Sequence, residues 1–101
     1  MSTPVVRTEG FDRDLSEAYA YLASRSTSAG ERFLDAVDAV AMLLAEYPEI
    51  GRVRFDIDSV VRSFRVRGFR HTVFYDYADE TVVLVRLLHG RQDPSSQSFD
   101  R

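Results

Sequence analysis

No cysteine and no lysine occur in this 101-residue chain. Without cysteine there can be neither a disulfide framework nor a thiolate metal site, and a reducing cytoplasm is the expected home. The two histidines, His71 and His89, are too few to hold zinc by themselves. No metal and no cofactor are expected. Apolar runs are also short: none approaches the roughly 18 residues needed to cross a bilayer. The opening "MSTPVVRTEGF" lacks the basic-then-apolar plan of a signal peptide. The missing lysines mean that all 13 basic residues are arginine. Genomic base composition would account for this equally well, but an all-arginine set suits bidentate recognition of carboxylate or phosphate. The net charge is −3, with −5 in residues 1–50 and +2 in the remainder. That balance argues against avid, non-specific binding of nucleic acid.

What is present describes one small domain. With 45% hydrophobic and 12% aromatic residues, the chain can bury a single core. The expected domain spans 1–101, with a flexible tail over 92–101. Pro4 to Arg7 reads as a first strand. Leu15, Ala18, Tyr19 and Leu22 recur at i, i+3, i+4, i+7 and mark one face of a helix. "SAGE" (Ser28 to Glu31) has the form of a capping box and predicts the start of a second helix. That helix carries Phe33, Val37, Val40, Ala41 and Leu44 on one side and ends before Pro48. The short link between the two predicts an antiparallel hairpin.

After "YPEIG" the period changes from 3.6 to 2. "VVRSFRV", "FRHTVFYDY" and "TVVLVRLL" predict a three-stranded antiparallel meander covered by the helices on one face, an α+β fold. A two-residue turn at Arg67-Gly68 pairs Val66 with Phe69. A three-residue turn at Ala78 to Glu80 pairs Tyr77 with Thr81. This register puts Phe64, Val66, Phe69, His71, Val73, Tyr75, Val83, Val85 and Leu87 against the helices. Val61, Ser63, Arg65, Arg70, Thr72, Phe74, Val82, Leu84, Arg86 and Leu88 then share the open face. Arginines set among Leu, Val and Phe predict a binding surface for an acidic or amphipathic partner; the plainer alternative is a solvated sheet. Tyr21 adds leftover aromatic surface on the first helix.

The order of elements, together with "YPEIG", "VRSFRV", "FYDY" and the closing "VRLLHGRQD", resembles a ParE-type toxin of the ParE/RelE superfamily. The resemblance covers nearly the whole chain. It implies a type II toxin–antitoxin system, a toxin that poisons DNA gyrase, and a ParD-type antitoxin that wraps its C-terminal segment around the toxin. On that basis Tyr21, Arg65, Arg70, Phe74, Leu84, Arg86 and Leu88 form the expected partner-binding set, and no catalytic residue is expected.

The superfamily also contains RelE-type, ribosome-dependent mRNA endoribonucleases. These place basic residues on the open face, with a tyrosine or histidine near the C-terminus, to activate the ribose 2′-hydroxyl and neutralise the scissile phosphate. In this chain the corresponding set would be Arg65, Arg86, His89 and Arg91. No tyrosine follows Tyr77, however, and the register points His89 to the core side. Arg91 and Asp93 are expected to close the sheet's end as a local salt bridge. A third reading is an inactive relative that survives as half of a stable complex.

Overall fold

Ser26 ends one helix and begins the next. The computed structural model describes residues 2–101. In it, strand β1 (Val5–Arg7) leads into helix α1 (Glu9–Arg25), and helix α2 (Thr27–Glu46) follows after the single residue Ser26. The Thr8 hydroxyl accepts a hydrogen bond from the Phe11 amide and caps α1, with Glu9 and Asp12 complementing the dipole in its first turn. The Ser26 amide bonds back to the Leu22 carbonyl while its hydroxyl accepts from the Ala29 amide. The cap of α2 is therefore Ser26 and not the Ser28 capping box. The helices approach closely at Gly30, where a β-carbon would stand 2.9 Å from that of Ala23. Phe33, Val37, Val40 and Leu44 form the buried stripe of α2, which stops at Glu46, two residues before Pro48.

The remaining strands are β2 (Arg52–Val53), β3 (Val61–Arg65), β4 (His71–Ala78) and β5 (Thr81–His89). The sheet order is β1-β5-β4-β3-β2, with β1 parallel to β5 and the other pairs antiparallel. Strand β2, too short to show a period, was not anticipated. It is held by Tyr75, whose hydroxyl donates to the Pro48 carbonyl and accepts from the Gly51 amide.

Two departures from the expected register nearly cancel. The β4–β5 turn has two residues, not three: Asp79 and Glu80 both take left-handed φ values, 52° and 56°, and Ala78 pairs with Thr81. This one-residue slip turns Val82 and Leu84 toward the helices, where both are buried. A β-bulge at Val85 then inserts one residue, since Tyr75 pairs with Leu84 but Phe74 pairs with Arg86. The insertion returns Leu87 to the helix side and Arg86 to the opposite side, as expected. The Thr8 hydroxyl donates to the Val85 carbonyl at the bulge, joining it to the start of α1. At the β3–β4 connection Val66 meets His71 rather than Phe69. A shift of two residues leaves the paired strand residues on their expected sides, while Arg70 falls in the loop before β4.

The main core joins Phe11, Phe33, Val37, Val40 and Leu44 from the helices to Val66, Val73, Tyr75, Val82, Leu84 and Leu87 from the sheet. The opposite face is not open. Val61, Phe74 and Leu88 form a second buried cluster, covered by Ile57 and Phe99. The segment expected as a flexible tail supplies that cover. Asp93 caps a 3₁₀ turn at Pro94–Ser96, Phe99 packs edge-on to Phe74 at 5.5 Å, and the Arg101 Nη2 reaches the Asp76 carboxylate at 2.8 Å. The Arg54 guanidinium lies over the Phe74 ring, 5.3 Å from its centre.

Candidate functional site

The last residues of β5 and the first of β4 meet α1 at one end of the sheet. Cross-strand pairing sets His71 opposite His89, and the Gly90 amide donates to the Arg70 carbonyl at 2.7 Å. This clamp holds the two chain segments together just beyond the strands, with Arg70 on one and Arg91 on the other. Between them and α1 lies a cleft of about 620 Å³. Asp14, Glu17, Ala18, Tyr21 and Leu22 line it from the helix, and Arg70, His71, Leu87, His89, Arg91 and Gln92 from the sheet end.

The two imidazoles differ in their surroundings. The rings of His71 and His89 meet edge to face at 5.0 Å, and His71 also meets Phe33 at 4.7 Å. The His71 Nδ1 is buried with no hydrogen-bond partner. Burial, and after it the proximity of His89, lower the His71 pKa from the ordinary 6.5. The His89 Nδ1 accepts from the Arg91 amide at 3.0 Å. Arg70 and Arg91 are exposed and make no ion pair among the described residues. The salt bridge expected between Arg91 and Asp93 is absent, because Asp93 instead takes the Ser95 amide and hydroxyl.

Arg86 does not stand free on a binding face. Its Nε and Nη2 reach the two Asp14 oxygens at 2.7 and 3.0 Å, and its Nη1 donates to the Ser98 carbonyl. The hydrogen bonds that Arg86 donates to Asp14 raise the Arg86 pKa further, against the pull of burial. Register alone could not reveal this partner, because Asp14 comes from a distant helix.

The expected partner-binding set therefore divides three ways. Tyr21 and Arg70 line the cleft, Tyr21 about half exposed. Arg70 is thus in the loop before β4, beside the cleft, rather than on the open face with Arg86. Arg65 does lie on the far face and is exposed. Leu84 sits in the main core, whereas Phe74 and Leu88 lie beneath the tail, each at most 2% exposed. The four residues that an endoribonuclease would use are likewise split. Arg65 and Arg86 belong to one side of the sheet, His89 and Arg91 to the cleft on the other. His71 and Asp14 were missed, and neither stands in a motif. The other large apolar side chains left exposed are elsewhere: Val6 on β1, Leu34 and Met42 on α2, and Tyr47, Ile50, Phe55 and Val60 around β2.

Among the described residues no group of three or more His, Asp or Glu side chains is placed to hold a metal ion, and no helix is long and apolar enough to cross a membrane.

Comparison with known proteins gives a consistent family. The family described as "ParE toxin of type II toxin-antitoxin system, parDE" matches residues 5–94. Toxin ParE3 of Caulobacter vibrioides is 28% identical over 94 residues, 92% of each chain. The crystal structure of the toxin–antitoxin complex RelBE2 from Mycobacterium tuberculosis contains a similar chain, with a TM-score of 0.66 and 25% identity. That match covers 88% of this chain and 92% of the other. A chain of the chromosomal ParDE toxin–antitoxin system from P. aeruginosa superposes with a TM-score of 0.63, covering 87% and 96%; at 14% identity it shows the shared fold alone.

Proposed function

Because this chain belongs to the ParE toxin family of type II toxin–antitoxin systems, we propose that it inhibits DNA gyrase by binding and is neutralised by a ParD-type antitoxin. The chain does no covalent chemistry in this reading. The observation that carries it is the use of Arg86. Its guanidinium is committed to Asp14 and to the tail's Ser98 carbonyl, so it is not available to neutralise a scissile phosphate. Arg65 does not line the cleft that holds His89 and Arg91; its Nη2 donates to the Phe69 carbonyl. Exposed Tyr21, Leu34, Met42 and Phe55 supply apolar surface of the kind that a protein partner covers. The similar RelBE2 chain was crystallised within a toxin–antitoxin complex, which supports a partner of antitoxin type for this one.

A ribosome-dependent endoribonuclease is the competing reading. One feature favours it: two histidines, two arginines and a tyrosine line a single cleft. Expression of the chain alone separates the two. Gyrase inhibition predicts stalled replication, DNA-break signalling and filamentous cells with intact bulk mRNA, and loss of supercoiling by purified gyrase when the protein is added. Codon-positioned mRNA cleavage on translating ribosomes, with supercoiling unaffected in vitro, would establish the endoribonuclease instead.

A further inference from the structure

We propose that the cleft between α1 and the ends of β4 and β5 seats an acidic side chain of the antitoxin, gripped by Arg70 and Arg91, with an apolar neighbour of that residue lying over Ala18 and Leu22. The proposal rests on the toxin–antitoxin reading and names the contact within it.

The arginines are positioned but unpaired. Arg7, Arg54, Arg86 and Arg101 each have a carboxylate partner, whereas Arg70 and Arg91 have none among the described residues. The Gly90-to-Arg70 backbone bond fixes the two segments that carry them. Arg91 is further tied through its own amide to His89. Two guanidiniums held on a shared rim can take one carboxylate by paired, charge-assisted hydrogen bonds. Little opposes that charge locally. Of the two acids lining the cleft, Asp14 is neutralised by Arg86, which leaves Glu17. Ala18, Leu22 and Leu87 supply an apolar part of the wall, and His71 contributes a buried nitrogen that lacks a partner.

An acidic peptide fits better than nucleic acid. A polyanion would extend beyond the cleft over α1, which carries Glu9, Asp12, Asp14 and Glu17 against Arg13 and Arg25, on a chain of net charge −3. Repulsion grows with each phosphate added, while a single carboxylate flanked by an apolar side chain meets only the cleft. A segment that orders on binding would present that pattern.

The test uses the full chain and the antitoxin encoded beside it, with affinity measured by calorimetry. Arg70→Ala/Arg91→Ala should weaken binding roughly 10- to 100-fold, the loss expected for charge-assisted hydrogen bonds. Arg13→Ala/Arg52→Ala, a control pair outside the cleft, should bind as the parent does. The melting temperature of both variants should match the parent's, because none of the four guanidiniums in question forms an ion pair among the described residues. If the parent chain fails to bind, the antitoxin reading and the cleft contact both fall. If the parent and the Arg70/Arg91 variant bind equally, only the cleft contact falls. A labelled 20-nucleotide RNA that binds the parent and is lost from the Arg70/Arg91 variant would show a phosphate site, and would overturn the carboxylate proposal.

Discussion

Asp14 and Arg86, 72 positions apart in the chain, form a bidentate ion pair whose side chains are only 10% and 14% exposed. The Leu87 amide donates to the same carboxylate at 2.9 Å. Three donors thus converge on Asp14, and two of them belong to Arg86. The pair fastens α1 to β5 immediately after the bulge.

Replacing Arg86 by Ala should therefore act on stability before it acts on binding. Asp14 would keep one donor and lose its counter-charge, at a cost of roughly 2–4 kcal/mol, somewhat below the range for fully buried pairs because a little water reaches this one. Chemical denaturation of Arg86→Ala beside Asp14→Asn/Arg86→Leu checks the point. The double variant removes both charges, and should recover part of the loss. Equal stability of Arg86→Ala and the parent would show that the pair is not formed in solution.

Local signals carried much of the fold and little of the site. The helical stripes, the stop before Pro48 and the alternation of β3 and β4 follow from side-chain periodicity, which is encoded within about ten residues. The cap at Ser26 was hidden because the neighbouring "SAGE" offers a stronger-looking box, while a one-residue link leaves only Ser26 able to serve both helices. The Val85 bulge was hidden because "TVVLVRLL" is apolar on both faces and contains no glycine to mark it. The sequence register puts Arg86 on the correct side only because the turn and the bulge shift register in opposite senses. Its partner Asp14, and the way Phe99 folds back onto Phe74, depend on tertiary placement that no short-range pattern records. The cleft was legible in part: Tyr21, Arg70, His89 and Arg91 were each singled out, but not as neighbours.

The β4–β5 turn offers a stabilising change. Asp79 and Glu80 both occupy the left-handed region, where a side chain is strained and Asn-Gly is the favoured pair for a two-residue hairpin loop. Asp79→Asn/Glu80→Gly should stabilise the fold by about 1 kcal/mol, raising the melting temperature by roughly 4–8 °C for a domain of this size. Calorimetry of the two proteins measures it. A lower melting temperature would mean that the turn has another geometry.

The C-terminal segment should behave as part of the fold. Truncation after Gln97 removes Phe99 from the Val61, Phe74 and Leu88 cluster and Arg101 from Asp76. Asp76 is 9% exposed with the tail in place, and truncation takes away the cation that its carboxylate pairs with. Lost apolar cover and the unpaired charge together should lower stability by roughly 2–4 kcal/mol. Phe99→Ala alone should give the smaller, apolar share. Hydrogen exchange supplies a second readout: amides of β3 and β4 near Val61 and Phe74 should exchange faster in the truncated chain. Unchanged melting and exchange would restore the flexible tail that the sequence suggested.

His71 makes stability depend on pH in a definite direction. Its pKa in the folded protein is depressed, first by burial and second by His89. As pH falls below the ordinary 6.5, the unfolded chain takes up this proton before the folded one does. Protonation then favours unfolding, so the contribution of neutral His71 is fully present above about 6.5 and is lost as pH falls through the window beneath that value. Asp58, whose pKa is lowered chiefly by the Val60 amide, acts in a separate window below its ordinary 3.8. The titratable and charged side chains that share the cleft with His71 are Asp14, Glu17, Arg70, His89 and Arg91, and the arginines oppose a further positive charge there. Melting temperature measured from pH 8 to 5 should stay level at first and then fall, and His71→Phe should flatten the fall. An NMR titration of the His71 ring gives the independent check. A midpoint at or above 6.5 would mean that the ring is solvated, and would remove it as the source of the slope.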